Sequence, residues 1–166
     1  MLRVAFVCTG NTCRSPMAEA ILKHMLMEKN EDMTEYDIYS IGTMAFSGDS
    51  ASVYSIEAMK ELGIDIDSHR SQRANVENIK ADIILTMTSS HKKFLAAHID
   101  EEVKIYTLKE YADMDSPDIE DPYGNDIESY IKTRDEIMDA MKYAADKIIN
   151  LKNQSLKNKD KEEEND

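Results

Sequence analysis

The sequence is poor in residues on which several classes of protein depend. It has only two cysteines among 166 residues, too few for a disulfide framework. Its 20 Lys and Arg face 33 Asp and Glu, a net charge of -13, and they form no basic patch of the kind that nucleic-acid binding needs. No apolar run approaches the roughly 20 residues that span a bilayer, and Met1 is followed by no signal-peptide pattern. We therefore expect a cytoplasmic protein with reduced thiols that binds neither nucleic acid nor membranes.

The apolar content of the chain is enough for one hydrophobic core, and the chain ends in a polar tail. Hydrophobic residues make up 42% of the chain, and its length is that of a single domain. Residues 152–166 read KNQSLKNKDKEEEND, a charged stretch that is almost free of apolar side chains. We predict one domain over residues 1–151 and a disordered tail over residues 152–166.

Short apolar runs alternate with stretches of helical periodicity. Runs at residues 2–7, 37–41, 82–87 and 103–108 predict strands, mostly of the kind buried on both faces. Helical spacing predicts four helices. The first begins at Pro16, and the second runs from a cap at Asp49 or Ser50 to Gly63. The third covers residues 89–98, and the fourth begins at residue 127. This alternation predicts an α/β fold: a single-domain, doubly wound, four-stranded parallel sheet with helices on both faces.

The loop after the first predicted strand carries an unusual set of reactive side chains. Residues 5–16 read AFVCTGNTCRSP, so both cysteines, an arginine and a serine lie between a strand and a helix. In parallel α/β sheets, ligands bind outside the carboxyl ends of the strands, where this loop is expected to lie. Three interpretations compete: a disulfide, part of a metal site, or a nucleophile in an anion pocket.

The surrounding sequence favours the anion pocket. A structural disulfide between Cys8 and Cys13 would be unusual in a cytosolic protein. The four histidines are scattered and no C-x-x-C occurs, so we expect neither a metal nor another cofactor. Loop N–H groups and the start of the next helix can hold an anion, and Arg14 can bind phosphate oxygens in bidentate fashion. The same pocket is expected to keep Cys8 as a thiolate at neutral pH.

Two motifs resemble the low-molecular-weight protein tyrosine phosphatases. One is C-x5-R-[ST], present as CTGNTCRS and followed by a proline at a helix start; the other is Asp121-Pro122-Tyr123, an Asp-Pro before an aromatic residue. The resemblance covers residues 1 to about 150. It implies a protein phosphatase that acts on phosphorylated proteins through a phosphocysteine intermediate, and we expect it to be a monomer.

The resemblance implies three catalytic residues and a phosphate-binding loop. Cys8 corresponds to the nucleophile, Arg14 to the residue that grips the phosphoryl oxygens, and Asp121 to the general acid that later activates water. Ser15 resembles the hydroxyl that stabilises the thiolate. The remaining loop residues are expected to surround the phosphate: Thr9, Gly10, Asn11, Thr12 and Cys13.

The resemblance also implies supporting residues around this loop. Asn11 matches a residue held in a strained backbone conformation, with Ser40 and His69 as hydrogen-bonding supports. Phe46 and Tyr123 match positions that wall the substrate slot. Cys13 matches a cysteine that can capture an oxidised nucleophile in a reversible disulfide.

Several substrates are compatible with these motifs. The sequence is similar to a bacterial arginine-specific branch in CTGNTCRSPMAEA, in TLKEY at 107–111 and in TRDE at 133–136, whereas tyrosine-specific members typically carry isoleucine in place of Thr12. Arsenate reduction needs a further cysteine pair that this chain lacks. We therefore favour phosphoarginine hydrolysis, with phosphotyrosine as the alternative and a small-molecule phosphate as a weaker one. A non-catalytic phosphoprotein-binding module would need neither Cys8 nor Asp121.

Overall fold

The structure, a computed structural model, describes residues 1–75, 79–99 and 102–163. One four-stranded sheet has the order β2-β1-β3-β4, and every pairing in it is parallel. The strands are β1 (Leu2–Cys8), β2 (Tyr36–Gly42), β3 (Ile83–Thr86) and β4 (Lys104–Thr107). The helices are α1 (Arg14–Glu28), α2 (Val53–Lys60), α3 (Ser89–Ala96), α4 (Leu108–Tyr111) and α5 (Ile127–Glu163). This arrangement confirms the predicted fold class.

Both faces of the central strand are buried, which explains its unbroken apolar sequence. Side chains alternate across a strand, so Val4, Phe6 and Cys8 join one core cluster while Ala5 and Val7 join another. The first cluster packs against α1 and α5, and the second packs against α3. Burying a side chain such as Phe6 stabilises the fold by roughly 1.5–3 kcal/mol. The strand therefore delivers Cys8 to the end of the sheet on its α1 face.

Helix α1 begins directly after the loop that carries both cysteines. Pro16 lies in its first turn, as predicted, where a missing N–H costs nothing. The helix packs on the sheet and on α5 through an apolar stripe: Met17, Ala18, Ile21, Leu22 and Leu26. This packing holds the positive end of the helix at the carboxyl edge of β1.

The predicted cap of α2 was wrong. Ser52 is the N-cap, and its Oγ accepts the N–H of Ser55 at 3.3 Å. Asp49 and Ser50 instead pair with the segment around residues 70–71: the carbonyl of Asp49 accepts from the N–H of Ser71, and Ser50 forms an isolated β-bridge with Arg70. A local capping pattern could not reveal this pairing because its partner lies about twenty residues away in the sequence.

Helix α5 continues to Glu163, so residues 152–163 differ from the predicted disordered tail. Lys152 is 8% exposed, and its Nζ lies 2.9 Å from Oε2 of Glu31 and 2.6 Å from Oε2 of Glu35. Its ammonium also lies 5.4 Å from the ring centre of Tyr36. Partners more than a hundred residues away thus fix the first turn of a stretch that has almost no apolar side chains. No described helix, α5 included, is long and apolar enough to cross a membrane.

Candidate active site

Residues 8–15, which we call the Cys8 loop, border a cavity of about 290 Å³ at the carboxyl end of β1. Ligand sites of parallel α/β sheets lie at this edge. The cavity is lined by Cys8, Thr9, Gly10, Thr12, Cys13, Arg14, Met44, Phe46, Asp49, Asp121 and Tyr123. Met44 and Asp49 were not among the predicted site residues. Within the described ranges, no three His, Cys, Asp or Glu side chains are grouped as metal ligands would be.

The sulfur of Cys8 is buried and held by two donors. Its Sγ lies 2.9 Å from Ser15 Oγ and 3.3 Å from the backbone N–H of Asn11. Ser15 Oγ itself accepts a hydrogen bond from Asn11 Nδ2 at 2.8 Å, so the serine hydrogen is free to point at the sulfur. Both contacts favour a negative charge on Cys8.

Burial works against that charge. It raises the pKa of the Cys8 thiol, and the Ser15 hydroxyl and N–H, the Arg14 guanidinium and the Asn11 N–H lower the pKa without outweighing it in this structure. The prediction of a thiolate at neutral pH is therefore not supported, because it counted the anion pocket and left out the desolvation of the sulfur. Formation of the thiolate depends on the groups that oppose burial.

Asn11 organises the floor of the Cys8 loop. It has a left-handed φ of 56°, a conformation that costs a residue other than glycine roughly 1–3 kcal/mol. Its Nδ2 donates to Ser15 and, at 2.9 Å, to Ser40, while its Oδ1 accepts from the N–H of Gln72. Nε2 of His69 donates to the Asn11 carbonyl at 2.8 Å. Ser40 and His69 thus contact Asn11 where the resemblance placed them, with Gln72 as an additional partner.

Glu19 extends this network and was missed from the sequence. Its Oε2 accepts from Ser40 Oγ at 2.6 Å, and its Oε1 accepts from Lys23 Nζ at 2.6 Å. Because Ser40 donates to Glu19, Ser40 can only accept from Asn11, which fixes the direction of that hydrogen bond. A glutamate on an amphipathic helix is usually solvated, so no local signal marked this residue.

Gly42, at the end of β2, allows the Cys8 loop to pack closely. A Cβ at this position would lie 2.5 Å from the carbonyl oxygen of Thr9 and 3.0 Å from the Cβ of Asn11. The next two residues donate backbone hydrogen bonds to the loop, from Thr43 to the Cys8 carbonyl and from Met44 to the Thr9 carbonyl, both at 3.0 Å. Any larger residue at Gly42 would therefore displace the loop.

Arg14 and Asp121 meet at the cavity. Arg14 is 4% exposed, with NH1 donating to the carbonyl of Ile119 at 3.0 Å and NH2 3.2 Å from Asp121 Oδ2. The other carboxylate oxygen of Asp121 accepts from the N–H of Tyr123 at 3.1 Å. The Asp121 side chain is 47% exposed, so it can contact both the cavity and solvent.

Cys13 is the second thiol of the cavity, and both cysteines are free. Its Sγ lies 3.4 Å from Ser52 Oγ and 3.5 Å from the hydroxyl of Tyr130. Burial, and next the hydrogen bond to Cys13, raise the pKa of Tyr130. The proposed slot walls, Phe46 and Tyr123, line the same cavity and are 78% and 75% exposed.

His91 is a further neighbour of the loop that sequence reasoning did not single out. Its Nε2 lies 2.8 Å from Thr9 Oγ, although the two residues are 82 positions apart. Burial, followed by the charge of Arg14, lowers the pKa of His91 to about 4. The imidazole is therefore neutral near pH 7. In the sequence His91 was one of four scattered histidines, and only the packing of α3 on the sheet brings it to the site.

A buried thiol among loop N–H groups, with an arginine and a carboxylate at the same cavity, is typical of cysteine-dependent phosphatases. The family model "Low molecular weight phosphotyrosine protein phosphatase" matches residues 3–161, and the chain belongs to this family.

Similar proteins of known function include both arginine and tyrosine phosphatases. A protein-arginine-phosphatase of Geobacillus stearothermophilus is 39% identical over 148 residues, covering 88% of this chain and 95% of that protein. The low molecular weight protein-tyrosine-phosphatase PtpB of Staphylococcus haemolyticus is 38% identical over 137 residues, covering 82% and 93%. A solved structure of the arginine phosphatase YwlE, a cysteine-to-serine mutant with a phosphorylated active-site serine, has a TM-score of 0.81 and 34% identity, covering 89% of this chain and 95% of that one.

Proposed function

We propose that the protein hydrolyses phosphoarginine in phosphorylated proteins through a phosphocysteine intermediate. The observation that carries this proposal is the placement of Cys8, Arg14, Thr12 and Asp121 around one cavity. The thiol of Cys8 and the guanidinium of Arg14 can act on a phosphoryl group, while the hydroxyl of Thr12 and the carboxyl of Asp121 suit a guanidinium leaving group. The similarity to the Geobacillus arginine phosphatase supports the same choice.

In the first step, Cys8 attacks phosphorus as the thiolate, its proton having left to solvent. The S–P bond forms as the P–N bond breaks, and the protonated carboxyl of Asp121 gives its proton to the leaving nitrogen. Arg14 binds the phosphoryl oxygens and offsets their charge. The phosphorylated serine of the YwlE mutant supports a covalent phosphoryl step at such a site.

In the second step, the Asp121 carboxylate takes a proton from water, whose oxygen attacks phosphorus. The S–P bond breaks and Cys8 leaves as a thiolate. The hydroxyl of Ser15, 2.9 Å from Sγ, stabilises the charge that returns to sulfur. The products are inorganic phosphate and a free enzyme whose Asp121 is again protonated.

Thr12 and Asp121 are the groups that we propose to select the guanidinium. Thr12 is half-buried and lines the cavity, so its hydroxyl can pair with a guanidinium N–H that would otherwise be buried without a partner. An unpaired buried donor costs roughly 1–3 kcal/mol. Phosphotyrosine presents a phenyl ring at this place, which has no N–H to satisfy.

Phosphotyrosine hydrolysis is the second candidate. The exposed rings of Phe46 and Tyr123 line the cavity and could sandwich a phenyl group, and the similarity to PtpB supports this reading. The deciding experiment compares kcat/KM on peptides of one sequence that carry either phosphoarginine or phosphotyrosine, with Cys8→Ser as the inactive control. We expect a preference for phosphoarginine. A higher kcat/KM on phosphotyrosine would assign the protein to the second candidate.

We further propose that Cys13 protects Cys8 from irreversible oxidation. Peroxide would oxidise Cys8 to a sulfenic acid, and the Cys13 thiol would displace water to form a disulfide that a dithiol reduces. Both thiols line the same cavity, which supports this step. Recovery of activity by dithiol after peroxide is expected to be poor in Cys13→Ser; equal recovery would leave Cys13 a packing residue.

We also propose that the enzyme acts as a monomer in the cytoplasm. Its two free cysteines suit a reducing compartment, which supports this location. Light scattering on the purified protein would test the monomer, and fractionation of the source cells would test the location.

A further inference from the structure

A chain of three side chains connects α3 to the Cys8 loop. Thr88 caps α3, and its Oγ accepts the backbone N–H of His91 at 3.3 Å. The same Oγ lies 2.9 Å from His91 Nδ1, and Nε2 of the ring lies 2.8 Å from Thr9 Oγ. His91 is 7% exposed, so its ring is held among protein atoms, whereas Thr9 is exposed to the cavity that Cys8 and Arg14 also line.

The hydrogen bonds of the chain favour one placement of its protons. The Oγ of Thr88 accepts the backbone N–H of His91, and donation of its own hydrogen to Nδ1 of His91 uses the donor as well as the acceptor capacity of this hydroxyl. The neutral ring then carries its proton on Nε2 and donates it to Thr9 Oγ. Thr9 Oγ accepts from one side, and its hydrogen is left to point into the cavity.

We propose that His91 is a positioning residue that fixes the Thr9 hydroxyl as a hydrogen-bond donor to a phosphoryl oxygen. This inference rests on the proposed phosphatase function, and it adds a side-chain donor to the backbone N–H groups of the Cys8 loop. The opposite tautomer would accept the Thr9 hydrogen at Nε2 and turn it away from the phosphate. The tautomer of His91, which lies outside the cavity, therefore determines whether the Thr9 hydroxyl donates a hydrogen bond into the cavity.

Burial and the charges around His91 keep its ring neutral near pH 7. The ring is influenced by Arg14, which disfavours its protonation, and by Asp121 and Asp118, which favour it. Burial and Arg14 together lower the pKa of His91 to about 4, so the ring carries a single proton at pH 7, where phosphate binding is to be measured.

Three single variants separate positioning from packing. Thr9→Val removes the hydroxyl and keeps the side-chain shape. His91→Asn places an amide where Nδ1 lies and loses the contact with Thr9, whereas His91→Gln places its amide where Nε2 lies and can keep it. The probe is inorganic phosphate, with its dissociation constant measured by calorimetry at pH 7.

We expect Thr9→Val and His91→Asn each to weaken phosphate binding about tenfold, the effect of one hydrogen bond to a charged group. His91→Gln should bind within about twofold of wild type, and Thr9→Val with His91→Asn should be no weaker than Thr9→Val alone. Unchanged affinity in Thr9→Val, or a second full loss in the double variant, would overturn the proposal.

The ¹⁵N chemical shifts of the His91 ring provide a test that needs no variant. We expect a protonated Nε2 and an unprotonated Nδ1 in the wild-type protein, and a proton on Nδ1 would refute the inference even if His91→Asn failed to fold. Neither measurement uses phosphoarginine. A wild type that binds phosphate in this way but does not hydrolyse phosphoarginine would therefore reject the proposed substrate and leave the role of His91 intact.

Discussion

At the scale of single residues, Asn11 sets the direction of the hydrogen bonds that reach Cys8. Its amide donates to both Ser15 and Ser40, so Ser40 passes its hydrogen to Glu19 and Ser15 passes its hydrogen to the sulfur. The left-handed backbone of Asn11 also aims its N–H at the sulfur, at 3.3 Å. One strained residue thus supplies the thiolate with a direct donor and an indirect one.

Ser15→Ala removes the hydroxyl that opposes the effect of burial on Cys8. The pKa of the Cys8 thiol should rise further, so the pH profile of its alkylation by iodoacetate should move to higher pH. The kcat should fall roughly tenfold or more, because the leaving thiolate loses a charge-assisted hydrogen bond. Ser155→Ala is the control, since that hydroxyl donates to the carbonyl of Leu151 within α5, away from the cavity. An unmoved profile would show that Ser15 serves only to position Asn11.

Asp121→Asn tests the proton donor. Removing a general acid is expected to slow reactions with poor leaving groups by roughly 10²–10⁴-fold, whereas an activated aryl phosphate should lose far less in the phosphorylation step. Burst kinetics isolate that step. Asp115→Asn is the matched control, because Asp115 is an exposed aspartate in the same segment before α5. Equal losses on both kinds of substrate would reduce Asp121 to a turn-forming residue.

Thr12 is the residue at which substrate choice can be tested. Thr12→Ile should lower kcat/KM for phosphoarginine by at least about tenfold, or roughly 1.4 kcal/mol, because a hydroxyl is lost and the slot is narrowed. The kcat/KM for phosphotyrosine should hold or rise. Thr12→Val, which removes the hydroxyl and adds little bulk, and Thr12→Ser, which keeps the hydroxyl, separate the two causes. Parallel changes on both substrates in Thr12→Ile would remove Thr12 as the selector.

The residues of the Cys8 loop could be predicted because they form a continuous motif. The residues that support the loop from other elements could not be predicted in this way. The motif C-x5-R-[ST] at a strand end lies within eight consecutive positions, and the cavity is lined by Cys8, Arg14 and most of the loop. Glu19, Gly42 and His91 reach the loop from α1, β2 and α3. Their roles depend on distances between elements, which spacing in the sequence does not encode.

At the scale of elements, a strand that is buried on both faces can be predicted from its own sequence, whereas a helix end that depends on distant charges cannot. The apolar run of β1 predicts its strand because burial alone requires it. The turn of α5 that begins at Lys152 was predicted to be disordered because its charged partners, Glu31 and Glu35, belong to another part of the chain. Helices that depend on such contacts are predicted too short.

Lys152→Met should therefore destabilise the protein, although it makes the helix more apolar. The change leaves Glu31 and Glu35 without their shared cation, and this pair is only partly exposed, so we expect a loss of about 1–3 kcal/mol. For a chain of this size that corresponds to a fall in Tm of roughly 2–10 °C. Lys157→Met, an exposed position one to two turns later, is the control. Equal Tm values for the two variants would show that the contacts of Lys152 contribute nothing.

At the scale of the whole molecule, the site and the stability of the fold share one titratable group. His91 lies between α3 and the Cys8 loop, so burying it neutral completes both the packing of α3 and the wall of the cavity. The net charge of -13 contributes little to this pH effect, because salt screens charges on the surface. Salt does not screen the buried ring of His91 in the same way. Acid should therefore weaken the fold at a specific internal position.

The pH dependence of unfolding tests this coupling. The pKa of His91 is lowered to about 4 in the folded protein, against about 6.5 for an unfolded chain. The unfolded state binds this proton first, so the stabilisation is complete above pH 6.5 and is lost as the pH falls toward 4. At pH 5 the loss from this group should be about 2 kcal/mol relative to pH 7.5, measured by urea unfolding. His91→Gln should lack this part of the slope, whereas His98→Gln, at an exposed position near the end of the α3 segment, should keep it. If His91→Gln and wild type lose stability in parallel between pH 7.5 and 5, His91 is not buried neutral and other groups carry the acid sensitivity.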